Sequence, residues 1–160
     1  MRKGAAKSGR PNFKGDGPEA SSELKQASEP GTRIHEAIGL VAQAHGSCAS
    51  PQQVLPVTKR LDFGRGRSPN QVAKRQRTIT AGAAYFRNFA RPGWKYEGRE
   101  VIVEDVALDL LWSKGDRLQA DEIKTGFSAV EHGETLARRQ AESQCGAGRT
   151  RFGSSFEGVR

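Results

Sequence analysis

Residues 99–126 read REVIVEDVALDLLWSKGDRLQADEIKTG, and this stretch decides the fold class. Short runs rich in β-branched and other apolar residues alternate with turn formers, a pattern typical of strands joined by hairpins. Glu104-Asp105 leaves two residues for the first turn, and Lys114-Gly115-Asp116 supplies the second. The sequence therefore predicts a three-stranded meander with strands at residues 99–103, 106–112 and 118–125.

Helical patterns lie on both sides of this meander. After Gly31-Thr32, the run RIHEAIGLVAQA repeats apolar residues at helical spacing and predicts a first helix that ends near Gly46. Ser68-Pro69 supplies an N-cap and a first-turn proline for a second helix, which extends to about Ala90. Between these two helices, residues 47–67 are predicted to form an exposed basic loop.

A third helical pattern starts near Glu131, with Gly146 and Gly148 as stop signals, and a short strand follows at Phe156–Val159. The order is helix, helix, three-stranded meander, helix, strand, which predicts a mixed α+β (α/β) layer fold. Residues 1–30 lack apolar periodicity and are predicted to form a disordered basic tail. Residues 31–160 are then predicted to form a single domain.

Composition excludes several classes of protein. The 160 residues contain 26 Lys+Arg and 18 Asp+Glu, a net charge of +8, and 35% apolar residues. The longest apolar run, residues 106–112, is interrupted by Asp109, so no membrane-spanning helix is expected. No secretory signal is evident, which predicts a cytoplasmic location. Two distant cysteines are too few for a zinc ribbon or an iron-sulfur cluster.

Asp109 is costly to place inside the most apolar predicted strand unless a cation or hydrogen-bond donors meet it. A two-residue turn at Glu104-Asp105 would pair Glu100 with Asp109 on one face of the sheet. In the next strand, Glu122 and Lys124 also share a face because one residue separates them. The predicted cluster is therefore Glu100, Asp109, Glu122 and Lys124.

These residue types suit phosphodiester hydrolysis. Carboxylate oxygens are the preferred ligands of Mg²⁺ and Mn²⁺, which offset phosphate charge and acidify a bound water. A cation near the attacking water, such as Lys124, assists the same reaction. Charge is distributed accordingly: residues 32–97 hold 11 basic and 3 acidic side chains, and residues 98–132 hold 4 basic and 8 acidic. An isolated Glu-x-Lys is also compatible with a solvated strand face.

The set of motifs resembles the PD-(D/E)xK nuclease superfamily, and within it the RecB-like branch. The matching elements, in the family's order, are GTRIHEA at residues 31–37, Glu100, VALDLLW at 106–112, DEIKTG at 121–126 and RRQ at 138–140. The resemblance covers residues 31–160 and implies a restriction-endonuclease-like core. It also implies a metal-dependent deoxyribonuclease that uses Mg²⁺ or Mn²⁺.

The resemblance implies a role for each matching residue. Asp109 and Glu122 would be the principal metal ligands, together with the Ile123 carbonyl, and His35 would complete the metal site. Lys124 would position and activate the attacking water. The remaining implied residues are Glu100 as an auxiliary carboxylate, Gln140 as an orienting catalytic residue, and Arg138 and Arg139 near the phosphate backbone.

Three features depart from the family pattern. The two cysteines exclude the iron-sulfur cluster that one subfamily carries with four. No Walker motif is present, so a helicase partner would be a separate chain. The chain ends at Arg160, within the last expected strand, which predicts a short or C-terminally truncated member.

The alternative is a catalytically inactive nucleic-acid-binding protein that retains the nuclease fold. Its phosphate contacts would come from Arg65, Arg67, Lys74, Arg75 and Arg77, and DNA is the expected partner in either case. The carboxylates distinguish the two hypotheses, since without a metal they would repel a polyanion. Aromatic residues of the second helix and Trp94 suit either base stacking or the core.

Overall fold

The computed structural model describes residues 29–64, 67–89, 91–124 and 133–160. Its helices are α1 (Glu29–His45), α2 (Val54–Thr58), α3 (Pro69–Asn88) and α4 (Gly133–Phe152). Its strands are β1 (Lys95–Val103), β2 (Val106–Lys114), β3 (Arg117–Asp121) and β4 (Phe156–Val159). Short 3₁₀ turns lie at Gly46–Cys48, Pro51–Gln53 and Gly153–Ser155. This mixed α+β architecture confirms the predicted class.

The strands form one four-stranded sheet in the order β1-β2-β3-β4. The first three strands pair antiparallel, and β4 joins β3 in parallel after the chain has crossed through α4. The predicted two-residue turn at Glu104-Asp105 is confirmed, because Val103 pairs with Val106 and Val101 with Leu108. Both turn residues have positive φ, as the tight primed hairpin turns require.

The sheet carries an apolar cluster on each side. The side covered by α1 and α3 buries Ile34, Ile38, Val41, Phe86, Leu110 and Trp112. The first three of these recur at helical spacing along α1, as the sequence pattern predicts. The side covered by α4 buries Leu108, Leu111, Ala120, Ala147 and Phe156. None of the described helices is long and apolar enough to cross a bilayer.

Several predicted boundaries were wrong. Strand β3 ends at Asp121, so Glu122, Ile123 and Lys124 lie beyond the strand, and Thr125 lies outside the described residues. Helix α1 begins at Glu29, two residues inside the predicted tail, whose residues 1–28 lie outside the described part of the chain. Likewise α3 ends at Asn88, and Ala90 is not among the described residues.

The predicted loop at residues 47–67 contains a helix. The 3₁₀ turn at Pro51–Gln53 begins with a capping box between Ser50 and Gln53, and α2 follows this turn directly. Val54 and Thr58 are both fully buried, and the Thr58 hydroxyl donates to the Val54 carbonyl. Five residues are too few to show a helical period in the sequence, so the prediction failed here.

Helix α4 continues through the two glycines that were predicted to stop it. At Gly148, an added Cβ would lie 2.6 Å from Phe156 Cδ1 and closer to other ring atoms. At the exposed Gly146, an added Cβ would meet nothing within 4 Å. The close approach of α4 to β4 therefore needs a glycine at residue 148.

Gly148→Ala is expected to lower the free energy of unfolding by about 1–3 kcal/mol, because the Phe156 ring has to move out of a packed cluster. The matched variant Gly146→Ala is expected to raise it by about 0.5–1 kcal/mol, because alanine favours the helix. Urea denaturation of both variants measures the difference. Equal effects at the two positions would contradict the predicted close packing.

Candidate active site

The pleat of β2 is interrupted at Asp109. Leu108 and Leu111 both pack on the α4 side, although residues three apart in a regular strand face opposite sides. Leu110 packs on the α1 side, and the neighbouring Asp109 reaches His35 of α1. In β1, between the pairs Val101–Leu108 and Arg99–Leu110, Glu100 has a φ of +49°. This irregularity turns two successive side chains of β2 toward α1.

Asp109, His35 and the Ile123 backbone form a closed set of contacts. The Ile123 N–H donates to Asp109 Oδ2 at 2.7 Å, and His35 Nε2 lies 3.0 Å from the Ile123 carbonyl oxygen. A carbonyl oxygen only accepts, so Nε2 carries the proton, and in the neutral ring Nδ1 then bears the lone pair. Nδ1 faces Asp109 Oδ2 at 3.8 Å, which is too long for a direct hydrogen bond.

The Asp109 carboxylate is poorly compensated. Burial raises its pKa above the usual aspartate value, and the nearby Glu122 charge raises it further. His35, the Ile123 N–H and Lys124 act in the opposite direction, but their combined effect is smaller. A buried carboxylate in this condition gains from an additional cation.

Glu122 and Lys124 belong to a second, connected network. Glu122 is mostly buried, and its carboxylate accepts from Lys124 Nζ and from Gln144 Nε2. Lys124 Nζ also donates to Gln140 Oε1 at 2.5 Å. Gln144, which is fully buried, donates from the same Nε2 to the Ala107 carbonyl at 2.9 Å. Helix α4 thus holds both ends of the Glu122–Lys124 pair through glutamines one turn apart.

The structure brings together most of the predicted site residues. His35, Asp109, Glu122, Ile123 and Lys124 are linked by contacts or by charge, and Gln140 reaches Lys124. Glu122 and Lys124 meet by direct contact rather than through a strand face, because β3 has already ended. Gln144 was not predicted, although its position four residues after Gln140 places both on one face of α4.

Glu100 is the predicted residue that the structure separates from the cluster. Its side chain is exposed, and its charge acts on Tyr96 instead. Burial, and to a smaller extent Glu100, raise the pKa of Tyr96 to about 12 against the opposing Arg99 charge. The prediction assumed that β1 is regularly pleated at Glu100, but the positive φ of this residue interrupts the pleat.

The predicted phosphate-binding residues lie on two surfaces. Arg67, Arg75 and Arg77 are exposed and Lys74 is half-buried, on or just before α3, whereas Arg65 lies outside the described residues. Arg138 and Arg139 are exposed on α4. Arg138 forms an ion pair with Glu142 one turn later, at 3.1 Å.

Within the described residues, no three His, Cys, Asp or Glu side chains lie close enough together to hold a metal ion. The donor set nevertheless fits a divalent cation in two respects. Nδ1 of His35 and Oδ2 of Asp109 face each other at 3.8 Å without a hydrogen bond, and burial raises the pKa of the Asp109 carboxyl. Glu122 does not lie close enough to complete a site with them, and its carboxylate is engaged by Lys124 and Gln144.

Comparisons of this chain with protein-family models, with curated proteins and with solved structures found no match. Function is therefore inferred from the geometry of the site and from the sequence motifs.

Proposed function

We propose that the protein is a metal-dependent nuclease that hydrolyses phosphodiester bonds in DNA, with a restriction-endonuclease-like core of the RecB-like type. The observation that carries the proposal is the convergence of α1, β2 and the segment after β3 on Asp109, with Glu122 and Lys124 beside it. The order of helices and strands, with β4 parallel to β3, supports the same assignment.

Each residue of the candidate site would have its own role. His35 Nδ1 and Asp109 would hold a Mg²⁺ or Mn²⁺ ion, and Glu122 would become a further ligand after moving toward Asp109. The Ile123 carbonyl, which the resemblance implies as a ligand, instead accepts from His35 Nε2 and would orient the imidazole. The bound ion would offset phosphate charge and lower the pKa of water. Lys124, held by Gln140, would keep a positive charge beside the developing negative charge on the phosphate. Gln144 would fix the orientation of Glu122.

The proposal is tested by incubating the purified protein with linear, circular and single-stranded DNA in Mg²⁺, in Mn²⁺ and in EDTA. We expect loss of intact DNA that requires the metal. Cleavage of circular DNA identifies an endonuclease, and cleavage confined to linear DNA identifies an exonuclease. Intact DNA in all three solutions contradicts the proposal.

A second candidate is a nucleic-acid-binding protein without catalytic activity. One observation favours it: both oxygens of the Glu122 carboxylate are already engaged, one by Lys124 and the other by Gln144. Were this pairing permanent, Glu122 could not act as a metal ligand. Salt-sensitive DNA binding without cleavage in any metal supports this second function.

Lys124→Ala is expected to lower the cleavage rate by about 10²- to 10³-fold, because the cation beside the reacting phosphate is removed. Metal binding should be retained, since an ammonium group is not a metal ligand. Calorimetric titration with Mn²⁺ separates the two effects, with Lys114→Ala as the control on an exposed strand end. Loss of Mn²⁺ binding in Lys124→Ala would show a structural role instead.

A further inference from the structure

The amino-terminal half of α3 is poorly covered by the rest of the protein. None of the residues at positions 69–77 is buried, whereas Thr78, Gly82, Tyr85 and Phe86 in the second half are. Val72 in the first half is 56% exposed. The second half of α3 therefore anchors the helix, and residues 69–77 form an exposed arm.

This arm is stabilised by local interactions. Ser68 and Gln71 form a reciprocal capping box, and Pro69 occupies the first turn. Helix ends without tertiary packing usually fray, because few contacts offset the ordering entropy. The capping box and the proline counteract fraying in the part of the helix that has no fully buried residue.

The charged residues in and around the arm are all basic. Residues 63–96 contain no Asp or Glu and eight Lys or Arg. Lys74, Arg75 and Arg77 lie on the arm itself, and Arg67 lies just before it. Arg75 also stacks over the Phe63 ring, with Cζ 5.3 Å from the ring centroid, which restrains its guanidinium. Such a surface complements a polyanion.

We propose that residues 69–77 of α3 dock in the major groove of duplex DNA. Nine helical residues span about 13 Å, and a helix about 10–12 Å across fits a groove about 12 Å wide. Val72, Arg75 and Gln76 share one face of α3, because they are spaced at i, i+3 and i+4. Arg75 and Gln76 carry groups that hydrogen-bond base edges, and Val72 can contact a thymine methyl group. The proposal deepens the proposed function by naming double-stranded DNA as the substrate class, and it rests on that function for the cleavage that follows binding.

The anchored half of α3 connects the arm to the candidate active site. The Tyr85 hydroxyl donates to Asp121 at 2.5 Å, and Asp121 immediately precedes Glu122. Arg77 precedes Tyr85 by eight residues, which corresponds to about 12 Å along the helix. Helix α3 therefore links the arm to the segment that carries Glu122 and Lys124.

The experiment measures fluorescence anisotropy of a labelled 20-base-pair duplex and of its single strand, in EDTA so that no cleavage occurs. The test variant is the triple substitution Lys74→Ala, Arg75→Ala and Arg77→Ala. The control, Lys114→Ala with Arg149→Ala and Arg151→Ala, removes the same charge from other exposed positions. None of the six substituted residues is buried, and substitutions at such positions usually change stability little, so both proteins should fold.

We expect the wild-type protein to prefer the duplex and the test variant to bind it about tenfold more weakly, or weaker still. The dependence of log affinity on log salt should become shallower by about 2–3, because each phosphate that is no longer neutralised removes about 0.9 from the slope. The control should bind nearly as the wild type does.

Three results would overturn the proposal: equally weakened binding in both variants, tighter binding of the single strand, or displacement of the duplex by polyglutamate at equal charge. Because binding is measured without metal, each of these results is independent of whether the protein cleaves DNA. Duplex binding without cleavage in Mg²⁺ or Mn²⁺ would support the arm and contradict the nuclease.

Discussion

Asp109→Asn is expected to lower metal-dependent DNA cleavage by at least about 10³-fold. The substitution removes the negative charge that would hold the cation between β2 and α1, and metal charge stabilisation contributes several kcal/mol to such reactions. Asparagine retains an oxygen that can accept from the Ile123 N–H, so the local backbone contact survives. The measurement is the initial cleavage rate in Mn²⁺ at saturating DNA.

The matched control is Asp105→Asn, at an exposed turn position with a φ of +63° that asparagine tolerates. It makes the same chemical change four residues away and should leave the rate unchanged. Equal cleavage rates for Asp109→Asn and the wild type would show that Asp109 does not take part in the reaction.

Unfolding cannot explain the expected loss, because Asp109→Asn should be more stable than the wild type at pH 7 without metal. The folded-state pKa of Asp109 is raised by burial, so the folded protein binds this proton more tightly than the unfolded chain. Ionisation therefore removes stability as pH rises from the ordinary aspartate pKa, about 3.9, through the raised value. The advantage of asparagine should shrink as pH falls through that interval, which thermal denaturation in EDTA measures.

Asp121→Ala is expected to lower the free energy of unfolding by about 3–5 kcal/mol, because it leaves a buried cation without its partner. Asp121 is 3% exposed and accepts from Arg91, Tyr85 and Arg160. Arg91 is itself buried, between the Trp94 and Trp112 rings at 5.1 and 5.5 Å from their centroids. These contacts join the end of β3 to α3 and to the last residue of the chain.

The same cluster shields the Tyr85 hydroxyl. Burial, followed by the Asp121 charge and hydrogen bond, raises the pKa of Tyr85. The matched control is Glu157→Ala, which removes the carboxylate of a more exposed ion pair with Arg117 and should cost at most about 1 kcal/mol. Guanidinium denaturation compares the two variants. A loss below about 1 kcal/mol in Asp121→Ala would show that Arg91 finds another partner.

The parts of the fold that could be predicted from the sequence are those specified locally. The two turns and the alternation of residues 101–108 define the register of the β1–β2 hairpin, and the apolar period of residues 34–42 defines the buried face of α1. The predicted strand at Phe156–Val159 agrees with β4 for the same reason. Asp109 stood out because a carboxylate interrupts the most apolar strand, Glu122 and Lys124 were predicted from their spacing, and His35 came from the resemblance alone.

The parts that could not be predicted depend on tertiary packing. The interrupted pleat at Asp109 carries no sequence signal, so Glu100 was placed in a cluster that it does not join. Gly148 was expected to end a helix, but it is needed where α4 meets the Phe156 ring. Gln144 resembles any polar helical residue until α4 is seen to pack over the end of β3.

Calorimetric titration of the purified protein with Mn²⁺ tests the central claim most directly, because the site is proposed to hold a divalent cation between His35 and Asp109. The predicted result is saturable Mn²⁺ binding that is abolished in Asp109→Asn, weakened in His35→Ala and unchanged in Asp105→Asn. Binding of equal strength in Asp109→Asn, or no binding to the wild-type protein, would contradict the proposed metal site.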